Sequence, residues 1–374
     1  MAGIYVHIPF CEKRCSYCDF FSSISLEQKN IYIQAICKEL ALQKDYLDGA
    51  PVTSIYMGGG TPSLLSATDL NTIQNQIKAL FPCDKLLEVT IEANPDDLTK
   101  EYIESLKYLP FNRISIGIQS FSDEELRLLN RRHTARQAIL AVENCQSAGF
   151  NNISIDLIYG IPGQTVSTWK ENLFQATRLN VQHISAYHLT YEPGTQLDSL
   201  LNKGVIAPVE EELSREMFFE MKRILAKSGF QQYEISNFCQ KGYESRHNSA
   251  YWNGSPYLGI GPSAHSYNGK SRQWNIASLK EYISSIQENK LSYEIELIDK
   301  KTAYNEYILT RLRTNKGMDP EEIKKLFPPE TASYCLLKVQ KYIDNDLIKR
   351  QHRRLILSEE GLFVSDGIMS DLML

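Results

Sequence analysis

Residues 5–20 read YVHIPFCEKRCSYCDF: a β-branched run ends at Pro9 and passes at once into Cys11, Cys15 and Cys18. The run reads as a strand, and the cysteine stretch reads as a loop. Only a loop lets three thiols this close in sequence wrap one compact group, and soft thiolates are the ligands that iron–sulfur clusters take. Three side-chain ligands for a four-iron cubane leave one iron open, much as a catalytic zinc keeps a vacant position. The competing reading is a structural zinc ion, completed by His7. Zinc sites usually join C-x2-4-C to a second, distant pair of ligands, and no such pair stands out. The other five cysteines, Cys37, Cys83, Cys145, Cys239 and Cys335, are dispersed. They read as small apolar core residues rather than as a disulfide framework.

Outward from this stretch, short β-branched runs recur: SIYMGGG, EVTIEAN, RISIGIQ, ISIDLIYG and HISAYHL. Amphipathic segments separate them, at 26–46, 67–81, 100–108, 123–131, 135–147 and 167–179. Six βα units predict a partial (β/α)6 barrel of the TIM type over residues 1–195, with its chemistry at the C-terminal ends of the strands. Residues 196–295 hold a helical stretch at 210–228 and a loop-rich segment dense in Gly, Tyr, Asn and Ser, expected to cover the barrel opening. From 296 to 374 the order helix, short helix, helix, hairpin, helix predicts a winged-helix-like α+β module.

Composition narrows the function. The chain has 374 residues, is 43% hydrophobic and carries a formal charge of −5, enough for a large core and wrong for a broad nucleic-acid footprint. The basic hairpin segment KRQHRR (349–354) is the one argument for an RNA contact, and it reads better as a solvated surface. With no apolar run of about 18 residues and no leader-like N-terminus, a cytoplasmic protein is expected.

Polar residues on or after apolar strands mark a second ligand. GGGTP (58–62) follows the second strand, where glycines permit close backbone approach and amides can cradle a carboxylate. Glu92 in TIEANP, Gln119 in GIQSF and Asp156 in SIDLIYG need partners in otherwise apolar surroundings. Arg131 in LNRRHT suits a charge-assisted pair with a carboxylate, and Asp156 suits ribose hydroxyls. Each is equally readable as an internal hydrogen-bonding residue.

Together, CxxxCxxC, GGGTP, EANP, GIQSF, LNRRH and DLIYGIPGQT resemble the radical-SAM proteins related to oxygen-independent coproporphyrinogen III oxidase, through essentially the whole chain. The resemblance implies a 4Fe-4S cluster on Cys11, Cys15 and Cys18, whose open iron binds S-adenosylmethionine (SAM) and whose electron cleaves it. It implies SAM contacts at Tyr5, Tyr17, Gly59, Gly60, Thr61, Glu92, Gln119, Arg131 and Asp156.

Two groups compete within that resemblance. The oxidases carry a further cysteine two positions after the third ligand and an N-terminal extension; here that position is Phe20, and ten residues precede the motif. The chain is similar instead to the HemW type of heme chaperone, with CxxxCxYCDF and an HNxxYW motif, present as HNSAYW at 247–252. This implies a protein that binds heme and passes it to an acceptor, with His247, Tyr251 and Trp252 as heme contacts and a flavodoxin- or ferredoxin-type electron donor. An imidazole can ligate heme iron and aromatics can pack the macrocycle. His247 reads equally well as a loop anchor, and His188 and His265 are comparable ligands. The enzyme reading, oxidative decarboxylation of coproporphyrinogen III, stays open, as does the choice between monomer and homodimer.

Overall fold

The computed structural model describes residues 1–374. Strands β1 (Ala2–Ile8), β2 (Val52–Gly59), β3 (Glu88–Ala93), β4 (Arg113–Gln119), β5 (Ile153–Tyr159) and β6 (His183–His188) are parallel neighbours in that order. Helices α1 (Lys29–Leu42), α2 (Ala67–Leu80), α3 (Lys100–Leu106), α4 (Asp123–Leu128), α5 (Ala135–Ser147) and α6 (Val166–Arg178) connect them. This is the partial (β/α)6 barrel that the sequence predicts. The helices start where Ser or Thr can accept from a free backbone amide: Ser66, Thr99, Ser122, Thr134 and Thr165 all cap in this way. Alternate strand residues such as Ile4, Val6 and Ile8 are fully buried under the helices. Their neighbours Tyr5 and His7 face the concave side.

The segment expected to cover the opening does something else. After α7 (Gln196–Asn202) and α8 (Glu211–Lys227), β7 (Gln231–Glu234) and β8 (Asn237–Cys239) extend the sheet antiparallel beyond β6. Helix α9 (Arg246–Trp252), which carries HNSAYW, then plugs the barrel at the strand N-terminal ends, opposite the cysteine loop. There Glu88 accepts from the backbone amides of Arg246 and His247 at 2.9 and 3.0 Å. The chain continues through β9 (Tyr257–Ile260), parallel to β1, then β10 (His265–Tyr267) and β11 (Ser271–Asn275), helix α10 (Leu279–Gln287) and β12 (Tyr293–Leu297). The result is a single 12-stranded sheet. Met217, Phe218, Phe238, Leu258 and Ile283 belong to the barrel's own core, so residues 196–295 enlarge that core rather than building another.

The last segment does have a separate core, around Tyr304, Ile308, Ile323, Cys335, Val339 and Met369. It comprises α11 (Lys300–Leu312), α12 (Pro320–Leu326), α13 (Pro329–Asp344), the hairpin β13 (Ile348–Gln351) and β14 (Arg354–Leu357), α14 (Glu359–Phe363) and α15 (Ser365–Leu372). No helix is long and apolar enough to cross a membrane.

Candidate functional site

The cysteine loop is clamped at its middle. Ser16, fully buried between the thiols, donates its amide to Leu129 O at 3.1 Å and its hydroxyl to Leu128 O at 2.8 Å, and it accepts from Leu197 N at 2.9 Å. Asn130 donates to Arg14 O at 2.8 Å. The LNRRH turn, which contains Asn130 to His133, therefore serves as the loop's abutment. With the loop held this way Cys11, Cys15 and Cys18 are all half-exposed, free of disulfides, and open onto one chamber of about 580 Å³. Thr61 donates to Cys11 Sγ at 3.5 Å, and Arg131 Nη1 lies 3.1 Å from Cys15 Sγ, where a cation complements a thiolate ligand. Burial pushes the Cys18 thiol up to about 11, so loading metal here must displace protons.

These residues fit a cubane better than a single ion. No three His, Cys, Asp or Glu side chains gather tightly enough for one metal ion. His7, the fourth ligand in the zinc reading, is already engaged on both ring nitrogens, with Tyr5 Oη at 3.1 Å and Phe21 O at 2.9 Å.

The same chamber collects Tyr17, Gly59, Gly60, Thr61, Glu92, Gln119, Arg131 and Asp156, from the cysteine loop and from the C-terminal halves of β2 through β5 or the loops after them. Tyr5, expected with them, lines a different cavity. The glycines also depart from expectation, because two of their amides are used inside the protein. Gly60 N donates to Ile8 O at 2.8 Å, and Gly59 N donates to Glu92 Oε2 at 3.1 Å. What the glycines provide is proximity: Gly59 has φ +107° and a Cβ there would run into the His7 ring, while one at Gly60 would meet Ile8 O at 2.8 Å.

Glu92 is a strongly perturbed carboxyl of the chamber. Burial, opposed by the Tyr56 hydroxyl at 2.6 Å and reinforced by Asp156, raises its pKa to about 7. Burial likewise raises Asp156. Gln119 sits at φ +69° on a bulge between β4 and β5, a strained position of the kind that marks functional sites. Arg131 spends its other donors on Asn94 Oδ1 (2.6 Å) and Gly117 O (2.5 Å) rather than holding them for a ligand. Its buried Nε has no partner, nor do Nε and Nη1 of the buried Arg113 on the same wall. Unpaired buried cationic donors are what an anionic ligand group would satisfy. Sequence reasoning misses Arg113, Asn94, Tyr56 and Asn248, which share this chamber. A charge opening the apolar strand RISIGIQ is the available signal for Arg113.

A second cavity, of about 910 Å³, lies past β1, where the concave face runs onto β9, β10 and β11 and the C-terminal segment closes over it. Tyr5, Tyr251, Trp252, Tyr257, Tyr307 and Phe327 give it aromatic walls. Asp19 and Phe20 line both cavities.

The comparisons with known proteins agree with this geometry. The Radical SAM superfamily model matches residues 5–176, and the HemN C-terminal domain model matches 298–364. Heme chaperone HemW of Lactococcus lactis subsp. lactis is 32% identical over 371 residues, covering 99% of this chain and 97% of that one. The chain belongs to the HemW family of radical-SAM proteins. Its relatives include a mitochondrial radical S-adenosyl methionine domain-containing protein 1 of Bos taurus, 34% identical over 100% of this chain and 87% of that one. In fold it is similar to the coproporphyrinogen III oxidase HemN from Escherichia coli, with TM-score 0.85 and 22% identity over 100% of this chain and 90% of that one.

The family motif HNSAYW divides between two places. Tyr251 and Trp252 reach the second cavity, but His247 is 1% exposed within the plug. Its Nδ1 is paired with Ser54 Oγ and its Nε2 with Tyr251 Oη, each at 2.9 Å, and burial lowers its pKa to about 3. The expectation of His247 as a heme ligand is therefore corrected: in this conformation neither nitrogen is available to iron. His188 is unavailable for the same reason, paired with Leu189 O and Ser214 Oγ.

Proposed function

We propose that this chain is a heme carrier: it binds heme and hands it to an acceptor protein, under the control of a radical-SAM core. The observation that carries the reading is the likeness, over nearly the whole of both chains, to proteins named as heme chaperones. Phe20 in the place of the oxidases' additional cysteine, and the HNSAYW motif, point the same way. The likeness to coproporphyrinogen III oxidase concerns the fold and brings no reaction with it.

In this reading Cys11, Cys15 and Cys18 hold a 4Fe-4S cluster. Tyr17, Gly59, Gly60, Thr61, Glu92, Gln119, Arg131 and Asp156 surround SAM. Together the two groups supply reductive cleavage of a sulfonium bond. The chain's part is positional: Arg131 sets its charge against the Cys15 sulfur, the Ser16 clamp fixes the loop, and Glu92 presents a buried carboxyl to a cationic ligand. A flavodoxin- or ferredoxin-type donor would dock over the half-exposed cysteine loop.

The test is anaerobic reconstitution with iron and sulfide, followed by hemin, recording the spectrum and SAM cleavage with and without coproporphyrinogen III. A stable Soret band with no porphyrinogen turnover is expected. Turnover without retained heme would make the chain an oxidase.

A further inference from the structure

The protein has seven histidines, and the structure sorts them by what their nitrogens already hold. His7, His183, His188 and His247 are hydrogen-bonded on both ring nitrogens. His133 is 3% exposed and bonded to Ile118 O, and His352 lies in the turn of the distal hairpin. His265 differs from all of these. It lines the second cavity, is exposed, and has a ring that makes no hydrogen bond and stacks on Trp274 at 5.7 Å. Partial enclosure by the cavity wall and the nearby Arg272 depress its pKa, which favours the neutral, ligating form of the imidazole.

The cavity around it suits a flat, dianionic macrocycle. Its volume of about 910 Å³ is at the large end of ligand sites, and its walls are aromatic on the barrel side and on the C-terminal side. Two arginines stand in it. Arg272 is paired with Glu306 at 2.6 Å and lies over Tyr267; Arg311 donates to Trp252 O at 2.6 Å and lies over Tyr307. Each guanidinium has five N–H donors, so donors remain for carboxylates. The exposed apolar side chains Leu309 and Leu326 are also part of the lining.

We propose that heme is carried in this second cavity, with His265 as the iron ligand and Arg272 and Arg311 as partners of the propionates. The proposal rests on the heme-carrier reading above. It accounts for the cargo's place beside the core: Asp19 and Phe20, immediately after Cys18, form a wall of both cavities, so the state of the cluster loop reaches the heme through that wall.

The test is hemin titration of the full-length, cluster-loaded chain, read by Soret position, resonance Raman ligand signature and affinity. His265→Ala is expected to lose the histidine signature and to weaken binding by at least about tenfold, a scale on which even outer partners act at metal sites. Free imidazole restores the signature. Ala303→Trp, which fills the cavity, is expected to prevent binding with cluster iron retained, and it decides the matter should His265→Ala fail to fold. Unchanged affinity and spectrum in His265→Ala, or in Ala303→Trp, overturn the site while leaving the carrier reading intact. Absence of any hemin binding by the unmodified chain overturns the carrier reading itself.

Discussion

At the strand N-terminal ends, Glu88 accepts from the α9 backbone, His247 is bonded on both sides, and His183 links Ser154 Oγ to Tyr233 Oη. At the C-terminal ends Arg131 keeps a buried Nε with no partner, Gln119 holds a left-handed backbone, and Glu92 carries a carboxyl raised by burial to about 7. One concave sheet face supplies polar groups to both ends. At the plugged end most of them pair with one another, which serves stability, Arg113 with its unpaired Nε and Nη1 being the exception; toward the open end an unpaired guanidinium nitrogen, a strained backbone and a perturbed carboxyl face the chamber, which serves chemistry.

Substitutions at the two ends should therefore fail in different ways. The largest effect belongs to the open end: Cys11→Ala, Cys15→Ala or Cys18→Ala should each abolish the cluster, measured as iron and sulfide content, with the fold retained by circular dichroism. Retention of full cluster content by any one of them would remove that thiol from the ligand set. At the plug, His247→Ala strands the Ser54 and Tyr251 hydroxyls and opens a void, for an expected loss of about 3 to 5 kcal/mol in urea unfolding. Hemin binding by the folded fraction should survive. A small stability loss with loss of heme would return His247 to the role of ligand.

Much of the open end is legible in the sequence because its signals are local. The strands read as buried runs, and a helix bounded by a capping residue, Ala135–Ser147 after Thr134, is found at its observed limits. The cysteine loop and the glycine turn lie next to the strands that position them. The plug is illegible for the opposite reason. Helix α9 has seven residues, and its seat, Glu88, is 159 positions away from His247 in sequence. Strands β7 to β11 are three to five residues long, too short for a periodic pattern, and they are recruited by the edges of a sheet formed elsewhere. The place of Tyr5 is illegible for a related reason: alternation puts it on the concave face, but β9 decides that this part of the face opens into the second cavity.

A smaller effect comes from Glu92. Its pKa, raised from 4.5 to about 7, means that the folded state binds this proton more tightly than the unfolded state. The contribution is therefore fully present below pH 4.5 and is lost as pH rises toward about 7, by up to about 3 kcal/mol in the metal-free chain. Asp156 raises the value further, while Tyr56 and Arg113 oppose it. Glu92→Gln should flatten that part of the urea stability profile against pH. An unchanged slope would mean that the carboxyl is solvated and that the open end is less dry than its geometry implies.

The smallest effect concerns what ties the cysteine loop down. Arg132, with 17% of its side chain exposed, pairs with Glu12 on the loop and with Asp96 and Asp97 after β3, at 3.0 and 2.7 Å for the two aspartates. Glu12 is half-exposed, so the pairs are screened, and Arg132→Gln should lower global stability by no more than about 1 kcal/mol. The loop can open without the barrel unfolding, so that energy appears almost entirely as local opening. Loss of the cluster to a chelator should accelerate about fivefold, as a change of about 1 kcal/mol dictates. Added salt should reproduce the acceleration in the unmodified chain and leave the plug's stability alone, because the bonds that seat α9 run through the buried His247 and Glu88, where salt screens little. An equal response at both ends would mean that the loop and the plug open as one unit.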